Sequence, residues 1–269
     1  MESLRRLCNG DRRTGQEGDA GMAKLTKDQD AYGRLIHDYY HDREGFEIDE
    51  RDDGYITVGS APGVYFADYK DWPHCERKAI RHARGKVLDA GCGAGRVALY
   101  LQERGCDVTG IDVSPMAIAT CRERGVKRVK LMNITEVSPR LGRFNTIVMF
   151  GNNFGLCANA RRARWLLRRF HAMTTDDAKI LAASNDVYQT DDPVHLAFQK
   201  RNRARGRMPG QIRLRIRYRQ HATPWFDYLL ASPEEMATLA GGAGWRLAEV
   251  MRNGGSLYVG VLEKLPRSD

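Results

Sequence analysis

Residues Lys86 to Pro115 read KVLDAGCGAGRVALYLQERGCDVTGIDVSP, and their order decides the fold. Residues 87–89 are a short apolar run suited to a buried strand. A glycine-rich turn follows, then helical spacing over 95–104, then a second strand at 107–111 that ends in Asp112. The turn itself, Asp89-Ala90-Gly91-Cys92-Gly93-Ala94-Gly95, offers glycines where backbone must come close to a ligand. A dinucleotide fingerprint would need Gly or Ala at the last position of G-x-G-x-x-G. Arg96 stands there instead, too large for that packing. An acid at the head of the turn repels phosphate and suits a cationic ligand.

The rest of the chain continues the alternation. Helical spacing over 27–41 predicts an amphipathic helix, and residues 44–73, aromatic and broken by Gly and Pro, predict short strands and loops. Further helices are expected at 73–83, 115–124 and 160–174, and strands at 126–131, 144–150 and 178–183. FNTIVMF, at 144–150, is apolar without alternation, as in a strand covered on both faces. Ser232, with Pro233 and Glu235 behind it, is a capping box opening another helix. Residues 247–252 and 256–263 form an antiparallel pair around Asn253-Gly254-Gly255. Strands alternating with helices call for an α/β, Rossmann-like, doubly wound and mostly parallel sheet of seven strands. An N-terminal cap (27–83) precedes the core (84–186), a basic antiparallel substrate lobe (187–230) is inserted, and 231–269 complete the core. The polar stretch 1–26 is expected to be a disordered tail.

VLDAGCGAG followed by VTGIDVS resembles motifs I and II of the class I S-adenosylmethionine-dependent methyltransferases. The resemblance covers roughly residues 80–265 at the level of fold and implies S-adenosylmethionine as cofactor and S-adenosylhomocysteine as its product. It implies that Asp89 serves the cofactor's amino-acid end, with Gly91, Cys92 and Gly93 approaching the methionine portion. Asp112 would accept both ribose hydroxyls. Val113, Met116 and Ile134 would pack on the adenine, and Asn133 would read its amino group unless it is an ordinary helix cap. Phe150 and Gly151, at the end of the fourth core strand, would lie beside the methyl group.

The acceptor is less legible. Asn152 and Asn153 could orient an amine or hydroxyl, or simply hold a polar turn. The DNA-amino methyltransferase motif is absent, because both its prolines are missing. A base is drawn from seven histidines, with His221 first because it precedes ThrProTrpPheAspTyr, and His37 next, beside Tyr40 on the N-terminal helix. Tyr65 and Tyr69 belong to an aromatic run that would close over the sulfonium by cation–π contact or pack a small core. Phe154 and Trp225 are further candidates for the substrate wall.

Charge narrows the choices. The nine Lys and Arg of residues 200–219 account for the whole excess of 43 basic over 34 acidic residues. Within them Arg213 to Arg219 alternates strictly, so a strand there shows arginines on one face. Arg215 and Arg217 could bind an acidic substrate, form part of an RNA track, or decorate a solvated edge. No RNA-recognition signature accompanies them. The six cysteines show neither disulfide nor zinc spacing, which predicts reduced thiols, no metal and a cytoplasmic protein. No run is long and apolar enough for a membrane span. The expected function is methyl transfer to N or O of a small metabolite, an acidic one on one reading. RNA methylation and a non-catalytic cofactor-binding module are the alternatives.

Overall fold

The computed structural model describes residues 25–266. The tail expected up to residue 26 therefore lies almost wholly outside the described residues. The chain opens with α1 (Ala31–Tyr40), β1 (Ile48–Arg51), β2 (Ile56–Val58) and α2 (His74–Ala79). Strands and helices then alternate as β3 (Lys86–Ala90), α3 (Arg96–Glu103), β4 (Asp107–Asp112), α4 (Pro115–Glu123), β5 (Val129–Leu131), β6 (Phe144–Met149), α5 (Ala160–Ala172) and β7 (Thr174–Asn185). Next come α6 (Pro193–Ala204), β8 (Gln211–Tyr218), β9 (His221–Ala222) and β10 (Phe226–Leu229). The core closes with α7 (Pro233–Gly241), β11 (Trp245–Arg252) and β12 (Leu257–Lys264).

Seven strands form the main sheet in the order β11-β12-β7-β6-β3-β4-β5. β3 to β7 are parallel, and β12 runs antiparallel between β7 and β11. Leu88, Ile147 and Ile180 face one apolar layer with Phe170 and Trp245, while Val87, Val148 and Leu181 face the other. Burial on both faces is why these strands read as continuous apolar runs. The chain winds outward from β3 to β5, then crosses back to place β6 on the other side of β3. That reversal opens a crevice at the carboxyl ends of the strands, where ligands bind in such sheets.

A second, antiparallel sheet runs β10-β8-β1-β2, with β9 paired to β8. The N-terminal cap and the basic insertion, expected as separate units, are thus stitched together; Glu50 of β1 lies opposite Arg215, 165 residues away. No helix among the described residues is long and apolar enough to cross a membrane.

One buried carboxylate ties the cap to the core. Asp30, fully buried, caps α1 by accepting the Gly33 N–H at 3.1 Å and also accepts the Met116 N–H at the start of α4, at 2.9 Å. Gly33 permits this close crossing, since a Cβ there would sit 1.9 Å from Ser114 Oγ. Asp30→Ala removes a cap worth about 0.5–2 kcal/mol and strands the Met116 N–H at about 1–3 kcal/mol. Urea denaturation should therefore show a loss of about 2–4 kcal/mol, with Asp30→Asn retaining most of the stability. A loss below about 0.5 kcal/mol would contradict the tie.

Candidate active site

The glycine turn leaves β3 with Gly91, Gly93 and Gly95 all at positive φ (80°, 51° and 81°). The Gly91 and Cys92 N–H groups both donate to Ile111 O, and the Gly93 N–H donates to Asp112 Oδ2 at 2.9 Å. The Ser114 N–H donates to the other carboxylate oxygen at 2.9 Å. The acid ending β4 therefore stands against the turn, held by two backbone donors. At Gly91 a Cβ would meet Asn153 Nδ2 at 2.5 Å, because that amide donates to Ala90 O and Gly91 O. Asp89 is buried at the end of β3, and its Oδ2 has no partner. Burial pushes its carboxyl up to about 7, against the pull of Arg96.

Around this turn lies a cavity of about 1050 Å³ whose walls come from both sheets. Gly91, Asp112, Val113, Asn133, Ile134, Gly151, Asn152 and Asn153 form the core side, and Tyr65 belongs to the cap. Glu76 anchors the rim, accepting the Arg96 guanidinium at 2.6 Å and the Gly151 N–H at 2.9 Å. The lobe docks on the turn after β6. The Tyr228 hydroxyl donates to Asn152 O at 2.6 Å, and its ring lies where a Cβ on Gly155 would be 2.0 Å away. Asn152, at φ 67°, also accepts the Asn185 N–H. Asn152 and Asn153 are thus at the cavity and structurally engaged at once. Asn133 likewise lines it while capping the following turn, its Oδ1 accepting Thr135 N–H and Oγ1–H. The side-chain carbonyl expected to read adenine is already taken.

Several expected residues lie elsewhere. Arg215 and Arg217 point away from the cavity, because on alternating β8 it is Ile212, Leu214 and Ile216 that face inward. Both guanidinium groups donate to Glu50, at 2.8 and 2.6 Å, and hold its carboxyl down to about 2. Trp225 sits under the Arg215 guanidinium on that outer side. His221 is off the cavity wall, 3.8 Å from Asp28. His37 faces Glu123 beside His41, and Tyr40 is exposed and stacks on Phe66, all outside the cavity. Tyr69 stacks on Tyr100 and donates to Arg77 O. Phe150 and Phe154 are buried in the two core layers, as is the Cys92 side chain, so these three have no side chain at the cavity. Met116 is half-buried off the wall, its N–H given to Asp30.

What sequence reasoning missed is the acidic side. Glu47, 3% exposed, and Asp49 line the cavity from the cap. Tyr32 and Tyr228 stand with them, while His74 lies at the exposed rim. Glu47 Oε1 accepts the Tyr65 hydroxyl at 2.8 Å, and Oε2 is buried with no partner. The alternation of Glu47, Asp49 and Arg51 was the available signal; it lay in a segment whose pairing partner could not be read locally.

Burial raises the Glu47 carboxyl from 4.5 to about 7. The native state therefore holds a proton that the unfolded chain releases, and stability falls as pH rises across that window. A shift of that size corresponds to at most about 3 kcal/mol at pH 8. Thermal melts should find Glu47→Gln more stable than the parent at pH 8, with the gap closing toward pH 5. A pH-independent gap would contradict the burial of this carboxyl.

Comparison with known proteins matches this geometry. Residues 87–177 match the family model of a methyltransferase domain. The chain is 43% identical over 70 residues to 2-heptyl-1-hydroxyquinolin-4(1H)-one methyltransferase of Mycobacteroides abscessus, covering 24% of this chain and 31% of that protein. It is 28% identical over 102 residues to glycine/sarcosine N-methyltransferase of Halorhodospira halochloris, covering 36% and 38%. These matches span about a third of each curated relative. A SAM-dependent methyltransferase of Bacteroides fragilis, crystallised with S-adenosyl-L-homocysteine, superposes with a TM-score of 0.77 at 26% identity, over 91% of this chain and 99% of that one. Residues 87–177 thus carry a methyltransferase domain, and the glycine turn, strand-end acid and sheet order match the class I S-adenosylmethionine-dependent fold.

Proposed function

We propose that this protein transfers a methyl group from S-adenosylmethionine to a nitrogen or oxygen of a small organic acceptor enclosed between core and lobe. The observation that carries this reading is a cavity whose walls come from both the glycine turn and the second sheet. Gly91, on the cavity wall, suits close approach of the cofactor's amino-acid end, whereas Asp89 and Gly93 lie off that wall. Asp112, Val113 and Ile134 all line the cavity, which supports Asp112 as the ribose acceptor and the two apolar side chains as the adenine surface.

When bound, S-adenosylmethionine supplies an electrophilic methyl carbon on a sulfonium. The chain's own task is alignment and exclusion of water, since near-attack geometry does much of the catalysis in such a displacement. Asn153 fixes the turn, Glu76 with Arg96 fixes the rim, and Tyr228 holds the lobe against the turn after β6. The inward faces of β8 and β10 contribute Ile212, Leu214, Ile216, Phe226 and Tyr228, an apolar and aromatic wall suited to a ring or chain. Arg215 and Arg217, expected to bind an acidic acceptor, do not serve one, because both are turned outward onto Glu50. The same pairing weakens the reading of an RNA track.

Calorimetric titration with S-adenosylhomocysteine tests the reading. The parent should bind, and Asp112→Ala should lose roughly 10- to 150-fold, about 1.5–3 kcal/mol for hydrogen bonds to a charged group. No binding by the parent would overturn the cofactor assignment, and unchanged affinity in Asp112→Ala would remove this residue from the site.

A further inference from the structure

Resting on the methyl-transfer reading, we infer that Glu47 and Asp49 form the acceptor subsite, which takes a protonated amine, and that Glu47 Oε2 removes its proton so that the nitrogen lone pair is free to react.

The two carboxyl groups stand two residues apart on one edge of the cap, both on the cavity wall and on the inward face that β1 shares with β8. Among the described residues no Lys or Arg pairs with either. The contrast with Glu50 is sharp: one residue along the same strand, on the other face, a carboxylate holds two arginines. The arginines of β8 are directed to the other face, Arg51 on the Asp49 face is held by Asp53, and of the two arginines on the cavity wall Arg96 is held by Glu76 and Arg77 pairs with neither acid. Buried carboxylates without a counterion are costly, so their retention in an apolar cavity calls for a cationic occupant.

The surroundings define that occupant further. The Tyr65 hydroxyl donates to Glu47 Oε1, the Ser60 backbone adds a weaker pull on the carboxyl, and Oε2 is buried without a full hydrogen bond of its own. Tyr32 crosses the Tyr65 ring edge-on at 5.2 Å, and with Tyr228 it surrounds the acidic end with aromatic rings. Such rings attract an ammonium by cation–π contact. Ile212, Leu214, Ile216 and Phe226 continue the wall away from the acids. The complementary ligand is a primary or secondary amine on an aromatic or aliphatic body. Glu47, raised to about 7, has the proton affinity of a general base working near neutral pH. The proton passes from the ammonium nitrogen to Glu47 Oε2 and then to solvent.

Phenethylamine and phenylacetate, nearly equal in shape and opposite in charge, are the probes. Each is titrated calorimetrically into the protein with and without saturating S-adenosylhomocysteine, and into the double variant Glu47→Gln/Asp49→Asn. Phenethylamine should bind the parent at least tenfold more tightly than phenylacetate. The preference should shrink to about twofold or less in the double variant, which should keep its affinity for S-adenosylhomocysteine. The inference is overturned if phenylacetate binds as well, if neither probe binds the parent, or if the preference survives the double substitution. It is also overturned if the double variant loses S-adenosylhomocysteine, since the acids then belong to the cofactor end. Failure of the parent to bind S-adenosylhomocysteine is a separate result. It removes the methyl-transfer reading, and the amine preference of the free protein still decides the acidic subsite.

Discussion

The pairing of β1 with β8 is the constraint on which the cavity depends. Side chains alternate along a strand, so a slip of one residue exchanges the two faces of the sheet. In the observed register Glu50 lies opposite Arg215 and Asp49 opposite Ile216. The first pair, with Arg217 beside it, puts three charges on the outer face, where they satisfy one another, and the second puts an acid and an aliphatic side chain on the cavity. The Glu50 hydrogen bonds to Arg215 and Arg217 therefore act as a register lock as well as neutralising charge. A slipped pairing would bury arginines in an apolar cavity, a cost of the kind that unpaired buried charges carry.

Docking of that sheet onto the core is equally local in origin. Tyr228 lies flat where Gly155 has no side chain and bonds the backbone oxygen of Asn152, a residue already held at positive φ. On the other side Asp30 bridges the N-terminal ends of α1 and α4. The lobe is thereby fixed at two places that flank the cofactor motifs, at α4 after Asp112 and at the turn after β6. These contacts explain why polar residues such as Asn152, Asn153 and Asn133 are spent on architecture in a region where chemistry was expected of them.

The core was legible because its determinants are short-range. The Asp89–Gly95 turn, Asp112 at the end of the next strand, the apolar run at 144–149 and the Ser232 capping box each declare their structure within a few residues. The lobe was not, because it is made by strands 165 residues apart whose faces are set by each other. Arginine alternation on β8 was read correctly as a strand, but which face turns inward depends on β1, and the inward face proved to be the aliphatic one. Single histidines carried no positional information at all, and His221 and His37 fell outside the cavity. Glu47 and Asp49 passed unnoticed because their alternation with Arg51 acquires an inward face only through β8, far along the chain.

The central claim is that the glycine turn and the second sheet wall one ligand cavity. Amide hydrogen exchange with and without saturating S-adenosylhomocysteine tests it most directly. The account predicts slowed exchange both in residues 89–95 and 112–116 of the core and in residues 226–230 of the lobe. Protection confined to the core, with the lobe exchanging as in the free protein, would contradict a shared cavity.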